Sequence, residues 1–123
     1  MECDAGIDAR GFIFGSAVAC RLGCGFVPIR KAGKLPAETH QVEYALEYGT
    51  NSLEIHTDAC GPGQRVVIID DVIATGGTAV AAIELVEMTG ATVASTAFLA
   101  SVEGLDGAAK VDGYESVIAL GAL

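Results

Sequence analysis

The stretch Val66-Val67-Ile68-Ile69-Asp70-Asp71-Val72-Ile73-Ala74-Thr75-Gly76-Gly77-Thr78 constrains this chain more than any other. It opens on an unbroken β-branched run, Val66 to Ile69, which fits a strand covered on both faces, as in a parallel sheet. Two adjacent carboxylates follow, then a turn of small residues with paired glycines, where backbone can bend sharply and approach a ligand closely. From Ala79 to Met88 the apolar residues are spaced for a helix. Strand, tight turn and helix in this order present N–H groups at the positive end of the helix, a ready anion site. A sugar phosphate reconciles that site with two acids beside it: the carboxylates accept from vicinal hydroxyls while the N–H groups hold the phosphate. The plainer alternative is a tight connection with solvated carboxylates. A Walker loop is excluded because no Gly-Lys-Ser/Thr follows, and the dinucleotide fingerprint Gly-x-Gly-x-x-Gly is absent here.

Strand and helix signals alternate along the chain, which predicts an α/β fold with a mainly parallel central sheet flanked by helices. Met1 to Ile7 reads as the end of a strand. Arg10 to Leu22 reads as a helix with Phe12, Phe14, Val18 and Leu22 as core contacts, and Gly11 and Gly15 as points of close approach. Gly25 to Arg30 is a short strand, and Lys31 to Glu38 a flexible loop. Val42 to Leu46 and Ser52 to His56 alternate around Tyr48-Gly49-Thr50-Asn51, the pattern of a β-hairpin. Beyond the central helix, Thr92 to Val102 reads as a long apolar strand, Glu103 to Lys110 as a short helix, and Ser116 to Leu120 as a last strand. No repeat or linker interrupts the 123 residues, so residues 1–123 are expected to form a single domain.

Half the residues are hydrophobic but Trp is absent, so the core must be built from Val, Ile, Leu and Ala. A formal net charge of −9 opposes broad affinity for nucleic acid or an anionic membrane. It leaves room for a compact anionic ligand where cations gather, and Arg10, Arg30, Lys31 and Lys34 all lie in the first third. Cys3, Cys20, Cys24 and Cys60 form no Cys-x-x-Cys, and His40 and His56 supply no metal-site spacing. With no leader at Met1 and no apolar run of about 18 residues, the expectation is a soluble, cytoplasmic protein with reduced thiols.

The segment around Asp70-Asp71 resembles the motif by which type I phosphoribosyltransferases bind phosphoribosyl pyrophosphate (PRPP). Three further segments sharpen the likeness: Gly6-Ile7-Asp8-Ala9-Arg10-Gly11-Phe12, Arg30-Lys31-Ala32-Gly33-Lys34-Leu35-Pro36 and Tyr44-Ala45-Leu46-Glu47-Tyr48-Gly49. In this order and spacing they are similar to the adenine phosphoribosyltransferase family, from about Gly6 to about Asp106. The resemblance implies a type I phosphoribosyltransferase fold and purine salvage, adenine plus PRPP giving AMP and pyrophosphate with Mg2+, in a homodimer. It assigns Asp70 and Asp71 to the ribose hydroxyls, and Ala74, Thr75, Gly76, Gly77 and Thr78 to the 5-phosphate. Asp8, Ala9 and Arg10, in a loop that often holds a non-proline cis peptide, would bind pyrophosphate together with Arg30, Lys31 and Lys34. Glu47 would be the catalytic residue that handles the purine proton, with Tyr48 and Val102 near the base and Lys31 to Gly49 as a lid. No metal ligand comes from the protein directly; Mg2+ would ride on the PRPP oxygens.

The family carries roughly 50–60 residues before the Gly-Ile-Asp-Ala-Arg region, forming a strand and the hood that recognises adenine, whereas five residues precede Gly6 here. The base-reading half of the site is therefore expected to be absent from this chain. Ser101 stands where the family leads one to expect an acid. The alternatives are a non-catalytic PRPP- or nucleotide-binding regulator of the same fold, or a phosphoribosyltransferase for another base.

Overall fold

The β-branched run at Val66 sits at the centre of the molecule. The computed structural model describes residues 3–45, 48–111 and 113–121. In chain order its elements are β1 (Cys3–Ile7), α1 (Arg10–Leu22), β2 (Gly25–Lys31), β3 (Thr39–Ala45), β4 (Thr50–His56), β5 (Arg65–Ile73), α2 (Gly77–Met88), β6 (Thr92–Ser101), α3 (Gly107–Lys110) and β7 (Glu115–Ile118). They build a seven-stranded sheet in the order β3-β4-β2-β1-β5-β6-β7. From β2 to β7 the pairing is parallel, and β3 and β4 add an antiparallel hairpin on the β2 edge. The α/β expectation and the hairpin therefore hold. Among the described residues, no helix is long and apolar enough to cross a membrane.

The two faces of the sheet are covered by different means. On one, Ala5, Ile7, Ile29, Val66 and Ile68 meet Ala82, Leu85 and Val86 of α2 in one apolar cluster. On the other, α1 buries Gly11, Gly15 and Ala19 rather than its large residues. A Cβ on Gly15 would come within 2.8 Å of the Phe26 ring and 3.2 Å of the Gly6 Cα. The helix thus lies almost backbone against strand β1, as the two glycines permit. The expected core contacts need correction: Leu22 is 60% exposed, and Phe12, Phe14 and Val18 are only half-buried. Close approach along the glycine stripe turns the bulky residues to the flanks, where Phe12 packs edge-on to Phe26 with centroids 5.9 Å apart.

The last third differs in detail from its sequence pattern. β6 ends at Ser101, so Val102 lies just past the strand, and only Gly107–Lys110 of the expected Glu103–Lys110 helix is helical. β7 is shifted towards its start, at Glu115–Ile118, although the Ala119 and Leu120 N–H groups still donate to the carbonyls of Phe98 and Leu99. One sheet residue breaks the apolar pattern. Asp4 on β1 is fully buried, and neither carboxylate oxygen has a hydrogen-bond partner. Burial without a partner pushes its pKa up to about 6.

Candidate active site

Open parallel sheets bind ligands beyond the carboxyl ends of their strands, and the chemistry-bearing residues of this chain gather there. A cavity of about 580 Å³ opens between the end of β1, the end of β5 and the β3–β4 hairpin. Its first wall is Asp8, Ala9 and Arg10, the turn from β1 into α1. The Asp8–Ala9 peptide is cis, as the resemblance implied. The Asp8 N–H donates to the Ile29 carbonyl at 2.8 Å, which ties this turn to β2. The Asp8 carboxylate, almost wholly buried, accepts from Arg30 Nε at 3.4 Å. Arg30 is steadied in turn by the Phe12 ring, 5.6 Å from its guanidinium carbon.

The second wall is the end of β5. Asp70 and Asp71 both line the cavity. Their side chains also brace the backbone, since Asp70 Oδ1 accepts from the Asp71 N–H and Asp71 Oδ1 from the Val72 N–H, each at 2.8 Å. Arg10 Nε reaches Asp71 Oδ2 at 2.6 Å. Asp70 has buried Phe98 beside it in the β5–β6 register, and burial raises its pKa to about 7. The Asp71 N–H and the Arg10 charge pull it down, while the Asp71 carboxyl adds to the rise.

Beyond Asp71 the chain turns through Ala74, Thr75 and Gly76 into α2. Gly76, the residue before the helix, has φ +88°, a left-handed conformation suited to glycine. The Val80 N–H donates to the Gly76 carbonyl at 3.0 Å. The amides of Gly77, Thr78 and Ala79 precede that bond and belong to the helix's open positive end. The cavity therefore joins two carboxylates, the open positive end of a helix and the cations of Arg10 and Lys31 within one space.

The phosphoribosyl transferase domain model matches residues 5–119. The chain belongs to that phosphoribosyltransferase family. An adenine phosphoribosyltransferase from Thermoanaerobacter sp. (strain X514) is 60% identical over 110 residues, covering 89% of this chain. The chain spans 64% of that curated relative's length. The crystal structure of adenine phosphoribosyltransferase from Thermoanaerobacter pseudethanolicus superposes with a TM-score of 0.94 at 56% identity, over 99% of this chain and 70% of that one. The Saccharomyces cerevisiae enzyme, complexed with an imino-altritol bisphosphate and adenine, superposes at 0.93 with 42% identity, over 98% and 68%.

Within this phosphoribosyltransferase fold, the expected site residues separate into two groups. Asp8, Ala9, Arg10, Lys31, Asp70, Asp71 and the turn residues Ala74, Thr75, Gly76 and Thr78 line one cavity, and Gly77 opens the helix beside them. Arg30 stands behind the wall on Asp8. Lys34 does not line the cavity and is exposed. The Gly33 N–H donates to Glu54 Oε1 at 2.8 Å, which draws the loop back onto β4 and leaves Lys34 in solvent. Tyr48 is 88% exposed on the hairpin turn, also away from the cavity. Val102 lies outside the lining too, its N–H bonded to the Ile73 carbonyl at 3.0 Å. Glu47 lies outside the described residues.

Sequence reading passed over Tyr44, Asn51, Leu53 and Phe98, all of which line the cavity. Tyr44 and Asn51 are a directly opposed pair in the hairpin register. The alternation Val42-x-Tyr44 against Asn51-x-Leu53 was the available signal, because residues two apart share a face. Nothing local marked Phe98.

Proposed function

We propose that this chain carries the PRPP site of an adenine phosphoribosyltransferase, which joins adenine and PRPP into AMP and pyrophosphate. The observation that supports it most is the placing of Asp70 and Asp71 at the mouth of the same cavity as the open end of α2 and the Asp8–Arg10 turn. The names of the similar proteins support adenine as the base.

In this reading Asp70 and Asp71 accept hydrogen bonds from the ribose 2- and 3-hydroxyls. The amides at the start of α2, with the Thr75 and Thr78 hydroxyls, hold the 5-phosphate. As the bond from the anomeric carbon to pyrophosphate breaks, positive charge grows on the sugar and negative charge on the leaving group. Arg10 and Lys31 face that leaving group, and Arg30 fixes Asp8 behind it. Arg10 exchanges its bond to Asp71 for one to pyrophosphate, so the ribose acceptor is released as the anion arrives. Glu47 takes the purine proton as N9 attacks.

Among the described residues no three His, Cys, Asp or Glu side chains converge as a metal cage. Asp70 and Asp71, carboxylates that line the cavity, would flank an Mg2+ ion brought in with PRPP. Bound there, Mg2+ would neutralise leaving-group charge. Ile13, a large apolar residue exposed on α1, is the side chain we assign to a homodimer contact. Exposed thiol Cys20 fits a reducing cytoplasm.

Calorimetric titration with PRPP and Mg2+, followed by adenine with AMP detection, tests the proposal. Binding and AMP formation support it. Binding without AMP leaves a PRPP-binding protein. No binding by a folded sample sinks the reading.

A further inference from the structure

The short helix α3 has no role in the chemistry above, yet it touches the back of the phosphate-binding turn. A Cβ on Gly107 would collide with the Ala74 carbonyl oxygen and sit 2.9 Å from Ile73 Cγ1. A Cβ on Gly76 would sit 3.0 Å from both Cα and O of Gly107, and 3.1 Å from Lys110 Cδ. The two glycines therefore meet backbone to backbone, with the Lys110 stem laid over the turn.

Both partners have buried anchors. α3 is pinned at its end by Val111, which is fully buried in the main apolar cluster. The segment leading to α3 is tied at its start, where the Val102 N–H bonds the Ile73 carbonyl. On the turn, Gly76 is buried while Thr75 is exposed and Ala74 half-exposed, and Ala108, Ala109 and Lys110 of α3 are exposed beyond buried Gly107. An added atom at the contact must push the turn and α3 apart, and so shifts the turn from its seat.

We propose that Gly107 is a positioning residue for the phosphate loop: it sets how deep the Ala74–Gly76 turn sits and hence where the amides of Gly77 and Thr78 point. The inference rests on the phosphate reading of that turn. It makes the stretch after β6 part of the site, although none of its side chains lines the cavity.

The test is calorimetric titration of wild type and Gly107→Ala with ribose 5-phosphate and, separately, with pyrophosphate, followed by steady-state kinetics in PRPP. The expected result is ribose 5-phosphate weakened by about tenfold or more, since displacement of a built site by a fraction of an ångström to 1 Å is costly. Pyrophosphate should stay within about twofold, and KM for PRPP should rise more than kcat falls. Equal weakening of both ligands, or of neither, overturns the proposal while leaving the phosphate reading intact. Wild type that fails to bind ribose 5-phosphate overturns that reading and this inference with it. If Gly107→Ala does not fold, Lys110→Ala decides against Lys110→Met, which loses the charge but keeps the stem. A selective loss of ribose 5-phosphate affinity of about threefold in the alanine variant supports the contact, and equal affinities overturn it.

Discussion

Arg10 and Asp71 meet at 2.6 Å across the mouth of the cavity, one from the first turn of α1 and the other from the end of β5. The arginine side chain is 77% exposed and the aspartate side chain 14%. An ion pair of this kind contributes little to stability, and its place suits exchange of partners. Arg10→Ala should weaken pyrophosphate by about ten- to a hundredfold, the range for losing a charge-assisted hydrogen bond. Its unfolding free energy should stay within about 0.5 kcal/mol of wild type. Titration with pyrophosphate and urea denaturation check the two halves; unchanged affinity would remove Arg10 from the site.

Asp71→Asn separates the same contact from the other side. PRPP should lose about tenfold in affinity and AMP about threefold, because in the proposed site PRPP would also bring Mg2+ and a pyrophosphate against this carboxylate. Competition titrations give both constants, and equal weakening would refute the role.

With Asp70 in the proposed ribose-binding role, its raised pKa should make ligand binding depend on pH. With a value of about 7, the carboxyl is mostly protonated at pH 6 and mostly ionised at pH 8, and only the carboxylate accepts from both hydroxyls. Ribose 5-phosphate affinity should therefore rise about tenfold between those pH values. Asp70→Asn should abolish the part of the rise that the phosphate's own titration does not explain. A wild-type profile identical to that of Asp70→Asn would assign the whole dependence to the ligand.

Asp4 affects stability by the opposite route to a salt-bridged acid. Its pKa is raised from 3.8 to about 6 by burial. Below the unfolded value both states hold the proton and nothing is lost. As pH rises from about 4 through 6, the unfolded chain ionises more readily and stability falls. Asp4→Asn should be more stable than wild type by about 1–3 kcal/mol at pH 8 and show no such advantage at pH 4. Urea denaturation at both pH values checks this; a difference independent of pH would trace to packing alone.

Gly11 shows how tightly α1 is set against β5. A Cβ there would come within 2.8 Å of the Ile69 carbonyl and 3.0 Å of Asp70 Oδ1. Gly11→Ala should lower stability by about 1–3 kcal/mol. It should also weaken PRPP, because the start of the helix carries Arg10. Thermal unfolding and PRPP titration of the same sample measure both; wild-type values would show that the helix can shift without cost.

The run Val66 to Thr78 determined its own strand, turn and helix, because a buried β-branched run and a glycine turn are local instructions. The hairpin was legible from its alternation, although Thr50 and Asn51, expected in its turn, pair with Ala45 and Tyr44 as strand residues, and α1 was legible in extent from Arg10 to Leu22. Which face of α1 turns inward was not, since the deciding contact is the absence of side chains at Gly11 and Gly15 against a strand known only after folding. In the candidate site the residue types of Asp8, Arg10, Asp70 and Asp71 were readable in sequence. Their pairing was not: the bond from Arg10 to Asp71, the placing of Phe98 beside Asp70, and the tie of Gly33 to Glu54 on β4, which leaves Lys34 in solvent, each join elements distant along the chain. The same holds for Gly107, whose meaning lies in the Ala74 carbonyl opposite it. Local pattern determined which groups this protein has to offer. Only tertiary packing decided which of them face one another, because burial, electrostatic coupling and steric exclusion act through distances in space.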